Sequence, residues 1–139
     1  MKTTELRIGN YVLNNKNVPI RVESISDIGI NLEIDDYGHC PQNYWTLEKD
    51  INPMPLTDEW MKKFNFSVNK NDKSVFQDDN VYDGYSTGFY FSTKNKIFYF
   101  MESSLYSAVK IEYVHQFQNW YHCFTGKDLK RILVIQKKD

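Results

Sequence analysis

Ala108-Val109-Lys110-Ile111 runs through Glu112 into Tyr113-Val114-His115-Gln116-Phe117-Gln118-Asn119-Trp120-Tyr121-His122-Cys123-Phe124, and the chain changes its period on the way. The first four residues read as a strand. From Tyr113 on, the large side chains Tyr113, Phe117, Trp120, Tyr121 and Phe124 return every three or four positions, the spacing of one helix face. Thr125-Gly126 supplies the stop, because glycine accepts the left-handed backbone on which helices end. A strand handing over to a helix of about 113–124, in a chain otherwise rich in strand patterns, points to an α+β fold.

Just upstream, Gly88-Phe89-Tyr90-Phe91-Ser92-Thr93 and Ile97-Phe98-Tyr99-Phe100-Met101 flank Lys94-Asn95-Lys96 and predict a hairpin of an aromatic antiparallel sheet. Both faces of this hairpin are aromatic, so it is either covered on both sides or presents an aromatic strip to a partner. Two brief strands are expected between Phe66 and Val81. Farther back, Thr57 caps a short helix of about 57–64, with Asp58 and Glu59 at the positive end of its dipole and Lys62 and Lys63 in its last turn. The first 50 residues form an antiparallel β-meander, Asn10–Leu13, Val18–Ile25 and Ile28–Ile34, which can roll into a small SH3-like barrel. Alternation places Ile20, Val22, Ile30, Leu32 and Ile34 inward and Arg21, Glu23, Asn31 and Glu33 outward. A last strand with a basic tail is expected from Leu129 to Lys138.

At 139 residues the chain has the size of a single domain, here 1–139 with a meander subregion 1–50 and an α+β subregion 51–139. No apolar run resembles a leader or a membrane span, and Cys40 and Cys123 fit reduced thiols. A cytoplasmic protein without membrane contact is the expectation. Aromatic residues are unusually many, ten tyrosines and nine phenylalanines among them, and they serve sheets and interface cores alike. The net charge of −1 hides a division: residues 22–59 carry −8, whereas residues 1–21 carry +3 and residues 60–139 carry +4. Such a dipole orients encounters with charged partners and fits neither a strongly basic nucleic-acid binder nor an acidic DNA mimic.

The chemistry-bearing side chains are scattered. His39-Cys40 and His122-Cys123, with His115 one heptad before His122, hold zinc-type ligands, but adjacent residues diverge and the hairpin spacing of zinc sites is absent. Cys123 reads as a small hydrophobe beside the helix core. Gly84-Tyr85-Ser86-Thr87-Gly88 lacks the lysine and helix start of a phosphate loop. No catalytic constellation, metal or cofactor is therefore expected.

Three blocks carry a resemblance: Arg7-Ile8-Gly9-Asn10-Tyr11-Val12; Pro55-Leu56-Thr57-Asp58-Glu59-Trp60 followed by Lys63-Phe64-Asn65-Phe66; and Tyr113-Val114-His115-Gln116-Phe117-Gln118-Asn119-Trp120-Tyr121 followed by Thr125-Gly126-Lys127-Asp128-Leu129. Together they resemble a family of small phage- and prophage-encoded proteins of unknown function. The chain departs from that pattern at Asn65, where glycine is usual, and at Lys127, usually acidic. The resemblance implies a phage accessory protein working inside a bacterial cell. Proteins of that kind commonly act by binding, inhibitors of host defence of the anti-CRISPR type among them. The expectation is a non-enzymatic binder of a host protein or ribonucleoprotein. Its polar contact face is placed at His115, Gln118, Asn119 and His122, with Phe89, Tyr90, Tyr99 and the basic Lys130, Arg131, Lys137 and Lys138 as further contacts. The same helix residues alternatively cap loops and close a core. An RNA- or single-stranded-DNA-binding domain, using the aromatics and the basic tail, is the second expectation.

Overall fold

A computed structural model of the chain describes residues 1–27, 29–33, 45–78, 88–102 and 105–130. The fold is α+β, with, among the described residues, two antiparallel five-stranded sheets and two α-helices. The chain divides into two compact units that nest in sequence. One is Met1–Pro55 with Tyr113–Asp128; the other is Leu56–Glu112, to which Leu129 returns. The expected division near residue 50 is thus redrawn, because the long helix belongs with the N-terminal sheet.

In the first unit, strands β1 (Tyr11–Asn14), β2 (Pro19–Ser26) and β3 (Gly29–Glu33) make the expected meander. β4 (Trp45–Thr46) pairs with β3 and β5 (Ile51–Asn52) with β1, giving the order β4-β3-β2-β1-β5. No pairing among the described residues closes this sheet into a barrel. Leu6, Val12, Ile20, Val22, Ile30, Leu32 and Ile51 form its core. The register shifts between Val22 and Ser24, and this bulge turns Ile25 onto the core side, where it packs against the cluster. Simple alternation puts Asn31 outward, yet it is buried, in register with Trp45 of the short edge strand. Helix α2 (Val114–Thr125) packs on β1 and ends at Gly126 in the left-handed conformation, its amide donating to the His122 carbonyl at 2.8 Å.

In the second unit, α1 (Asp58–Lys63) starts at Thr57, whose hydroxyl accepts from the Trp60 amide. It ends as its sequence requires. Asn65 adopts φ 65°, the Asn65 amide donates to the Lys62 carbonyl and the Phe66 amide to the Met61 carbonyl, the paired bonds of a Schellman cap. Strands β6 (Ser67–Val68), β7 (Val75–Gln77), β8 (Gly88–Ser92), β9 (Ile97–Glu102) and β10 (Leu105–Lys110) then form a sheet in the order β10-β9-β8-β7-β6. Phe76, Phe91 and Phe98 stand side by side across β7, β8 and β9, all buried, and Phe89 stacks on Phe98 at 5.8 Å. Three aligned phenylalanines on one face explain why the hairpin pattern was so strongly apolar.

Candidate functional site

The polar residues of α2 converge on the N-terminal segment of their own unit. Gly9, at φ 93°, makes a turn that other residues adopt only with strain; its amide donates to the Val22 carbonyl at 2.7 Å, and its carbonyl is left for the helix. Gln118 takes up that carbonyl through Nε2 at 3.0 Å, while its Oε1 accepts the Tyr11 amide at 2.9 Å. Asn119 does the same one residue on: its Oδ1 accepts from Asn10 Nδ2 at 3.0 Å and its Nδ2 donates to the Glu5 carbonyl at 2.9 Å. Asn10, itself buried, accepts the Arg7 amide at 2.7 Å. At the far end Asp128 receives Arg7 at 3.5 Å and His122 Nδ1 at 2.9 Å. The first and third sequence blocks are therefore the two halves of one clamp, in which side-chain amides satisfy backbone groups that β1 pairing leaves open.

This placement corrects the expected contact face. Gln118 is 4% exposed and His115 2% exposed, so neither is presented to a partner. Asn119 and His122 are both half-exposed, Asn119 engaged in the clamp and His122 held by Asp128. At 100° per residue the buried arc through Val114, His115, Phe117, Gln118 and Tyr121 is rotated roughly a quarter turn from the aromatic stripe. The stripe's leading edge consequently faces solvent. Trp120 and Phe124, 38% and 36% exposed, stack on each other at 5.6 Å, and Cys123 beside them is exposed rather than packed as a core hydrophobe. The sequence pattern put Trp120 and Phe124 on one helix face with Tyr113, Phe117 and Tyr121.

His115 is the unusual member of the buried arc. Its ring stacks on Tyr113 with centroids 5.9 Å apart, and neither ring nitrogen has a hydrogen-bond partner among the described residues. Burial, chiefly, holds its pKa below the ordinary histidine value, while the Glu5 carboxylate pulls the other way.

Of the contacts expected on the second unit's sheet, Phe89 is buried on the core face and is not a surface residue. Tyr90 and Tyr99 lie directly opposite each other on the reverse face and are half-exposed. The Tyr90 ring is laid along its own strand over Gly88, where any Cβ would run into it. Lys127 and Lys130 are exposed; Arg131, Lys137 and Lys138 lie outside the described residues, as do His39 and Cys40. Among the described residues no three His, Cys, Asp or Glu side chains gather to hold a metal ion, and no helix is long and apolar enough to cross a membrane.

No protein-family model matches the chain, and neither a curated protein nor a solved structure matches it.

Proposed function

We propose that the protein acts by binding a macromolecular partner, as a phage accessory protein directed at a host protein or ribonucleoprotein, and that the solvent face of α2 is its contact surface. The observation that carries this reading is the exposed Trp120–Phe124 stack. Interface hot spots are rich in large aromatics held rigid before the partner arrives, and here the inner face of the same helix is pinned by the Gln118–Asn119 clamp. Exposed Cys123 lies on that outward side, whereas His122 is turned to Asp128 on the other flank, which moves the contact surface from the residues singled out in sequence to their neighbours. The setting, including inhibition of a bacterial defence such as a CRISPR–Cas effector, rests on the resemblance of the three sequence blocks.

The test is capture from bacterial cells with the wild-type chain and with a Trp120→Ala/Phe124→Ala variant, together with infection assays on a defence-bearing host. A partner held by the wild type and lost by the variant, whose far-UV spectrum is unchanged, supports the reading. Identical capture by both, or no effect of the wild type on defence, refutes it.

A second reading, single-stranded nucleic acid on the second unit's sheet, draws on the Tyr90–Tyr99 pair with the Tyr90 ring laid along the sheet, a geometry suited to base stacking. Its mark is affinity that falls steeply with salt and is lost in Tyr90→Ala/Tyr99→Ala. Salt-insensitive binding excludes it.

A further inference from the structure

His115 lies one turn before Gln118 and Asn119 on the side of α2 that faces residues 5–11. A neutral imidazole carries one N–H donor and one lone pair, and here both are buried and unmatched among the described residues. Phenylalanine or leucine would fill the same position beside Tyr113 without leaving polar atoms unsatisfied. What histidine adds is the uptake of a proton near neutral pH. Among the described residues a charged imidazole has no acceptor for either N–H in this position, so the ring takes up a proton as the segment packed over it moves away.

We propose that His115 is an acid-operated catch: uptake of one proton by its imidazole releases the N-terminal segment, residues 1–11, from helix α2. The groups that act on the ring have been placed. The 3-10 turn Thr3–Glu5 brings the Glu5 carboxylate, which favours the proton, and the Met1 amine opposes it. Strand β1 carries no acidic or basic side chain. At the N-cap of α2 the Tyr113 ring stacks on the imidazole, and one heptad on His122 faces Asp128 and, through it, Arg7. Glu48, whose carboxylate takes the Thr3 amide and hydroxyl, is held below its ordinary 4.5 by those bonds and stays ionised throughout the range concerned.

The direction follows from linkage. The closed state keeps His115 neutral because burial lowers its pKa, whereas in the open state it titrates near the ordinary 6.5. Below that value the open state binds more protons, so the catch is fully effective above about pH 6.5 and weakens as pH falls. Between pH 7.5 and 5.5 the open fraction rises, by up to about tenfold where the closed state takes up no proton over that range.

Amide hydrogen exchange on the full chain at these two pH values, corrected for intrinsic rates, reads the effect at Arg7 and Tyr11, whose amides are held by Asn10 and Gln118. The wild type is expected to lose up to about tenfold protection at both amides, with β8 and β9 unchanged. His115→Phe is expected to abolish the loss and His122→Asn to retain it. Equal protection at both pH values in the wild type overturns the proposal, as does a loss that persists in His115→Phe or vanishes in His122→Asn. Should His115→Phe fail to fold, the wild-type imidazole is followed by NMR. Titration near 6.5 with full protection retained overturns the catch, and titration accompanied by the loss upholds it.

Discussion

Gln118 shows how one amide can hold a backbone turn. Its carbonyl oxygen and its amino group meet the Tyr11 amide and the Gly9 carbonyl, a donor and an acceptor that would otherwise be buried without partners. An unmatched buried group costs about 1–3 kcal/mol, so Gln118→Leu is expected to lower stability by roughly 2–4 kcal/mol in urea unfolding. Trp120→Ala, made on the exposed side of the same helix, is expected to lose only about 1 kcal/mol, mostly its stacking on Phe124. Sequence made these residues visible without revealing what they do. Gln118 and Asn119 stood out as polar positions in an aromatic helix, and polarity alone suggests a surface. Their partners are main-chain atoms of Glu5, Gly9 and Tyr11 and the side chain of Asn10, more than a hundred residues away, which no periodicity can encode.

The elements themselves were largely legible, since each is fixed by local chemistry. Thr57 with Asp58 and Glu59 marked the start of α1, and the observed Thr57–Trp60 cap is the bond that marking implied. At the other end Asn65 occupies the left-handed position. Asparagine tolerates that conformation better than any β-branched residue. Asn65→Gly is therefore expected to leave stability within about 1 kcal/mol, and Asn65→Val to reduce it by about 1–2 kcal/mol, as thermal unfolding will report. What could not be read was the bulge after Val22, which shifts Ile25 to the core side and breaks the simple alternation of the meander. A bulge depends on the partner strand, and a single strand's pattern carries no trace of it.

For the whole chain, the α+β class followed from elements found one by one, but their grouping did not. Proximity in sequence placed α2 with the aromatic hairpin that precedes it, whereas the helix completes the N-terminal unit. The reason is the bridge between Pro55 and Tyr113, reinforced by the Val114 amide donating to the Met54 carbonyl at 2.9 Å. The chain leaves the first unit and re-enters it at adjoining points. Residues 1–55 joined to 113–128 by a short glycine-rich loop are thus expected to fold cooperatively and to protect the Tyr11 amide. A collapsed product without slow-exchanging amides would contradict that expectation.

The same nesting sets a schedule for the nascent chain. Every strand of the first sheet has been made by Asn52, yet the helix that covers it begins only at Val114, after the whole of residues 56–112. At translation rates of roughly 5–20 residues per second, that interval lasts about 3–11 seconds, long compared with the formation of a hairpin. During it the Gly9 carbonyl and the Tyr11 amide must be served by water, because Gln118 does not yet exist. The second unit has all the strands of its sheet through β10 before α2 is made and lacks only the segment from Leu129, so its sheet has time to form first while the first sheet waits for its helix.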